Sequence, residues 1–178
     1  MFHSVIAPII LPAVVAGAII LFARGNIAAA RLASLGAVAA LLALAIYNVA
    51  LSSAGPQAYF LGNWPAPFGI VLMLDGLSAM MVLLVAILAA VVAIYAIATK
   101  WDAKGRHFHA LFMFQLMGLN GAFLTGDAFN LFVFFEVLLI ASYGLMVHGG
   151  GAERMRVGVQ YVAFNLVGST LFLFALAT

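Results

Sequence analysis

The run from Thr125 to His148, TGDAFNLFVFFEVLLIASYGLMVH, is long enough to cross a bilayer, which takes about 20 mostly apolar residues, yet one carboxylate, Glu136, interrupts it near the middle. A hydrocarbon core is roughly 30 Å thick and a helix rises about 1.5 Å per residue. With Asp127 at one surface, Glu136 therefore lies about 13 Å down, near the midplane. An acid at that depth costs several kcal/mol unless it is protonated, hydrated or paired, so it marks a functional site whose partner has to be found.

The rest of the chain is built for the same solvent. Its 178 residues are 67% hydrophobic and only 7% charged, with a mean hydropathy of +1.25; a soluble domain carries about 25% charged residues. This is an all-α, polytopic membrane protein. The net charge of +2 comes from basic residues scattered between apolar runs, which makes no nucleic-acid patch. Cysteine is absent, which removes disulfides, thiolate metal sites and thiol nucleophiles. The N-terminal MFHSVIAPII has no basic residue before its apolar run and reads as an uncleaved first span.

Six apolar segments read as transmembrane helices: Ser4–Phe22, Leu32–Leu51, Leu77–Ala98, His109–Thr125, Ala128–Val147 and Val157–Ala177. An open sheet could not satisfy its backbone in lipid, and the alternation of a barrel strand is not present. The chain divides into residues 1–108, the first three spans with an outer Pro- and aromatic-rich loop over 52–74, and residues 109–178, the opening of a helical repeat. Arg24 and Arg31 fall in the first loop, Lys100, Lys104 and Arg106 in the third, and Arg154 and Arg156 in the fifth, whereas the second and fourth loops have no Lys or Arg. Cytoplasmic loops concentrate these residues, so the odd loops are expected on the cytoplasmic side of the cell membrane and the N-terminus outside.

The second loop has Pro56, Pro65 and Pro67 to exclude helix and Tyr59, Phe60, Trp64 and Phe68 for headgroup depth, and reads as an extended or hairpin-like segment on the membrane face. Asp75 begins DGLS and is expected to cap the third helix rather than to hold an ion. In KWDAKGRHFH, His107 and His109 are too closely spaced to share a helix face, and the loop reads as a basic interfacial segment rather than a metal site. The fourth span carries Gln115 and Asn120 at midplane depth, as interhelical contacts or as lining of a hydrated path, with Gly118 and Gly121 for close approach. Thr125-Gly126-Asp127 is so tight that spans four and five are antiparallel neighbours, with Asp127 capping the fifth and Asn130 as a second capping-type residue.

Glu136 shares its helix face with Phe132, Val133, Leu139, Ile140 and Tyr143, and Tyr143 alone of these offers a proton donor. His148 suits the negative end of the helix dipole and Gly149 to Gly151 a C-terminal stop. On the sixth span Tyr161, Asn165, Gly168, Ser169 and Phe172 form a small and polar stripe. Asn165 comes to the depth of Glu136 from the opposite side and is its best hydrogen-bonding neighbour. No Lys or Arg lies within a span. Glu136 is therefore either protonated or paired with a cation outside these residues, and the end of the chain in an apolar run fits a fragment.

At GDAFNLFVFFEVLLIASYGLMVHGG the sequence resembles the D-type membrane subunit of the multisubunit Mrp-type Na⁺/H⁺ (cation/proton) antiporters, as do DGLSAMMVLL (Asp75 to Leu84) and QYVAFNLVGSTLFLFAL (Gln160 to Leu176). That family is homologous to the proton-pumping membrane subunits of complex I. The resemblance implies a protein of about fourteen spans with inverted repeats and broken helices. It makes Glu136 the family's fifth-span glutamate, paired with a seventh-span lysine that these residues do not contain. The implied function is ion translocation within a hetero-oligomeric complex, with protons and monovalent cations as cargo, Glu136, Tyr143, Asn165 and His148 on the proton pathway, and Gln115, Asn120 and Ser169 in support. Two other readings stand beside it: a proton-pumping subunit of a quinone or hydrogenase complex, and a non-transporting assembly subunit. No cofactor is implied, since the chain has no Gly-rich phosphate loop and no nucleophile paired with a base.

Overall fold

Caps and helix breakers set the helix ends more than hydropathy does. The computed structural model describes residues 3–64 and 69–177, so Pro65, Pro67 and Phe68 of the second loop lie outside the described residues. The helices are α1 (Ala7–Phe22), α2 (Ile27–Ser52), α3 (Gly76–Ala98), α4 (Phe108–Leu124), α5 (Ala128–Met146) and α6 (Ala152–Ala177). Of these, α2, α3, α5 and α6 are long and apolar enough to cross a membrane, while α1 and α4 are shorter apolar helices of 16 and 17 residues.

The apolar pattern places two helix starts too late. The Asn26 side chain accepts from the Ala29 amide at 3.1 Å and opens α2 five residues before Leu32, which puts Arg31 on the helix. Gly149, Gly150 and Gly151 all have positive φ, which ends the connection after α5 and lets α6 begin at Ala152. Arg154 and Arg156 are thus helical rather than in the loop.

At the centre, α4 packs against α5, α1 and α3, and ten of its seventeen residues are buried. Its contact with α1 is polar at one point. Pro12 lies inside α1 and has no N–H, so the carbonyl of Pro8, four residues earlier, lacks its helical donor. Asn120 supplies one, its Nδ2 donating to the Pro8 oxygen at 2.9 Å. Replacing Asn120 with Leu should cost about 1 kcal/mol. In a Pro12→Ala background, where the helix provides the donor itself, the cost should shrink; equal losses of thermal stability in both backgrounds would overturn this account.

Glycines set the α4–α5 approach. A Cβ on Gly118 would lie 2.8 Å from the Leu138 backbone nitrogen, and one on Gly121 would strike the Phe134 ring. No side chain fits there, so the helix backbones meet closely and α5 is held in one rotation.

The second loop forms an antiparallel hairpin, β1 (Gln57–Phe60) with β2 (Val71–Leu74), in the register Gln57 to Leu74 and Phe60 to Val71. Leu72 and Leu74 are buried beneath it. The hairpin reaches the α4–α5 turn, where Leu72 bridges Thr125 and the Gly126 amide donates to the Val71 carbonyl at 2.8 Å. Asp75 then starts α3 with a reciprocal cap: its side chain accepts from the Ser78 amide and the Ser78 hydroxyl accepts from the Asp75 amide. The Ser78 bonds hold the Asp75 carboxyl below the usual carboxylate range.

Candidate functional site

Helix geometry decides where Glu136 points. Phe134 and Leu138 face α4 across the two glycines, and each residue turns about 100°, so Glu136, two residues from either, lies about 200° round the helix from them. It faces away from α4 and shares that side with Phe132, Leu139 and Tyr143. The amides of α4 are therefore not its neighbours: Asn120 points to α1, and Gln115 stands at the α4–α5 seam beside a cavity. Asp127 fixes the start of this helix, its Oδ1 accepting from the Asn130 amide at 2.6 Å while the Asn130 Nδ2 donates to the Thr125 hydroxyl at 3.0 Å.

On the Glu136 side the partner is α6, through the stripe read from the sequence. Tyr161 meets Tyr143 edge-on with ring centroids 5.6 Å apart, and Phe172 lies 6.4 Å from Phe132 and 6.2 Å from Phe135. Tyr143 lies two turns along α5 from Glu136 on the same face, and its hydroxyl makes no hydrogen bond to the Asn165 amide across the α5–α6 contact. Glu136 Oε1, Tyr143 Oη and Asn165 Nδ2 are all buried with no hydrogen-bond partner, as is Gln115 Oε1. The bond expected between Glu136 and Asn165 is not formed. Orphaned buried polar atoms are rare in folded proteins, and three of those found here, from Glu136, Tyr143 and Asn165, belong to the facing pair α5 and α6. Among the described residues Glu136 has no ion pair.

Two cavities flank this seam. One of about 310 Å³ is lined by Leu138, Leu139, Asn165, Gly168, Ser169 and Phe172 among others; Ser169 turns its hydroxyl back to the Leu166 carbonyl at 3.3 Å. The other, of about 630 Å³, runs from Trp101 and Phe108 to Gln115, Ser142 and Tyr161. Thus Gln115 reaches the Tyr161–Tyr143 pair across a cavity rather than by contact.

His148 is not brought to Glu136. Twelve residues on, it lies about 18 Å further along the helix, where its Nε2 meets the Trp101 carbonyl at 2.9 Å and its ring packs on Phe108. The close approach of Gly105, on which a Cβ would stand 2.9 Å from the imidazole, completes this seat. The Trp101 ring also carries Lys104 Nζ at 4.1 Å and the Arg154 guanidinium at 4.8 Å.

A second buried network, joining residues far apart in the sequence, lies at the same end. Arg31 grips Asp102 with Nε at 2.6 Å and Nη2 at 2.9 Å; Asp102 meets His109 Nε2 at 3.0 Å, and His109 Nδ1 meets the Ser34 hydroxyl at 2.8 Å. Asp102, His109 and Ser34 are all buried, so His109 is not the interfacial loop residue it was expected to be. The Arg31 hydrogen bonds hold the Asp102 carboxyl below the usual carboxylate range against the opposing effect of burial, with His109 adding to the lowering. A Ser–His–Asp order here does not make a nucleophile: Ser34 has no exposed surface, and the carboxylate is already spent on the guanidinium. The available signal is Arg31 itself. A cation in the early turns of a helix opposes the dipole and needs an acid, and KWDAKGRHFH offers just one.

No family model matches the chain. Among curated proteins it is 46% identical over 177 residues, 96% of this chain, to a protein of Rhizobium meliloti named as the D-type subunit of a probable K(+)/H(+) antiporter. It is 44% identical over 179 residues, 99% of this chain, to the D-type subunit of the Na(+)/H(+) antiporter of Alkalihalophilus pseudofirmus. The chain spans about a third of these relatives, 33% and 36% of their lengths. Its fold matches a chain of the Mrp complex from Dietzia with a TM-score of 0.91 and 29% identity, over 99% of this chain and 34% of that one.

Proposed function

We propose that this chain, homologous over nearly its whole length to the D-type subunits of the multisubunit cation/proton antiporters, is the part of such a protein that carries Glu136 as the intramembrane acid of its proton path. The observation that carries the reading is the orphaned Glu136 carboxylate oxygen on the α6 side of α5, beside the equally orphaned Tyr143 and Asn165. A group that binds and releases a proton must not be locked into a full set of hydrogen bonds, and these are not. The cavity from Trp101 to Gln115 and Tyr161 supports an approach for protons from the basic end, with His148 packed behind its wall residues Trp101 and Phe108. The cation that complements Glu136 is a lysine of the longer protein. The partners are the other subunits of a hetero-oligomeric antiporter in the cell membrane, and the cargo is protons and a monovalent cation. Loss of cation/proton exchange in inverted vesicles on Glu136→Gln, with the complex assembled, is the test.

All six helices cross the bilayer in this reading, α1 and α4 with help from flanking turns, and the chain divides near residue 108. The ends carrying Arg24, Arg31, Lys100, Lys104, Arg106, Arg154 and Arg156 are cytoplasmic, supported by their confinement to one side of the connectivity. These 178 residues contain no cysteine, so a cysteine introduced among them is compared with the unsubstituted parent to report sidedness. An impermeant maleimide should label Ser53→Cys on intact cells and Ala103→Cys only after permeabilisation. The inverse pattern would reverse the orientation, and equal labelling of both from outside would remove α3 as a single crossing.

A further inference from the structure

The cationic end of the molecule is not evenly charged. A cavity of about 630 Å³ opens between the α1–α2 turn and the α3–α4 connection, with Arg24, Lys104 and Arg106 on its polar side and Ala23, Ile27 and Ala30 on its apolar side. Among the described residues Arg24 and Arg106 make no side-chain hydrogen bond and no ion pair, and Lys104 uses its ammonium only over the Trp101 ring. The single carboxylate in the wall, Asp102, is neutralised by the bidentate Arg31 contact, so it does not cancel the three cations. The cavity is thus a concave, net-positive pocket. Beside it, at the end of α1, Leu21 and Phe22 are 75% and 86% exposed, an apolar shoulder that has no place in water.

We infer that this pocket binds the phosphate headgroup of an anionic glycerophospholipid, its acyl chains lying against Leu21, Phe22 and Ile27. The chemistry requires both halves. Arg24 and Arg106 line the cavity with guanidiniums that have no ion-pair partner among the described residues, and a planar guanidinium suits two parallel hydrogen bonds to the oxygens of a phosphodiester, with Lys104 adding positive charge to the wall. The apolar shoulder selects an amphiphile over a soluble anion, and the depth is that of headgroups, at the ends of α1 and α2. Neither Glu136 nor the direction of ion flow enters into this binding. Its consequence is a lipid that ties the α1–α2 turn to the α3–α4 connection above the Arg31–Asp102–His109 network.

The test is lipid binding to the detergent-purified full-length protein in its complex, titrated with phosphatidylglycerol, phosphatidylcholine or inorganic phosphate, read by native mass spectrometry and thermal shift. Phosphatidylglycerol should bind at least about tenfold more tightly than phosphatidylcholine, a factor worth about 1.4 kcal/mol. The double variant Arg24→Gln/Arg106→Gln should abolish that preference, while Lys100→Gln/Arg156→Gln, which removes the same charge outside the cavity, should keep it. Loss in both variants would reduce the effect to general attraction to a basic face and overturn the pocket. Equal binding of the two lipids would overturn it as well. Saturation by inorganic phosphate alone, lost in the Arg24/Arg106 variant, would assign the pocket to a soluble anion and overturn the lipid. The four positions are exposed and the elution profile without lipid reports folding, so a failed variant is recognised independently of binding.

Discussion

Replacing Glu136 with Gln should reduce cation/proton exchange in inverted vesicles to the level of vesicles without the complex, while the complex still assembles in normal amount. Gln keeps the volume and two polar atoms of the acid but cannot take up or release a proton in the accessible pH range. Assembly should survive for reasons of packing. Glu136 points away from the glycine contacts that fix α4 against α5, and its Oε1 makes no hydrogen bond that the substitution could break. An uncharged side chain at this depth also avoids the several kcal/mol by which a bilayer penalises a bare charge, so the variant should be no less stable than the parent.

The companion variants grade the same idea. Glu136→Asp keeps a titrating group and should retain part of the exchange, with a changed pH dependence because the carboxyl withdraws toward the helix and away from Tyr143. Tyr143→Phe removes a buried, unpartnered hydroxyl on the same face of α5 as the acid, and should slow exchange without abolishing it. Full exchange by an assembled Glu136→Gln complex would sink the proton-path proposal outright. A complex that fails to form in the Gln variant, and is rescued by Asp, would instead favour the assembly reading of this acid.

The parts of this picture that sequence could reach are those carried by local chemistry. Hydropathy separates the helices, Asp75 and Asp127 sit where a cap must, the prolines and aromatics of the second loop forecast a hairpin, and the α6 stripe from Tyr161 to Phe172 faces a neighbour. What it could not reach depends on rotation and on distance along the chain. Which side of α5 meets α4 follows from Gly118 and Gly121 seating Leu138 and Phe134, a fact of fitting two surfaces together, and it turns Glu136 from the α4 amides toward α6. Asn120 is claimed by a carbonyl 112 residues away that a proline has orphaned. The Arg31–Asp102 pair joins residues 71 apart, and among the loop charges it reads only as topology.

That pair carries the second large effect. Arg31→Met should destabilise the folded protein more than Asp102→Asn does, although both remove the same ion pair. The asymmetry lies in what is stranded. Without Arg31, a carboxylate with no exposed surface is left with His109 alone; without the Asp102 charge, the stranded guanidinium already has 30% of its side chain in solvent and can turn outward. Asp102→Asn should cost about 1–3 kcal/mol, since the amide keeps the shape but leaves a buried hydrogen-bonding group badly matched, seen as a drop of roughly 2–4 °C in Tm per kcal/mol for a chain of this size. The pH dependence has a fixed sign. The folded Asp102 carboxyl titrates below its unfolded value, so its contribution is fully present above the ordinary carboxylate range near pH 4 and is lost as pH falls through the folded value. Below that range the parent should lose stability more steeply than Asp102→Asn, so the two unfolding curves converge in acid. Curves that stay parallel down through that range, or a Met variant as stable as the Asn one, would show that the pair is a surface contact and not the clamp that holds α2, the α3–α4 connection and α4 together.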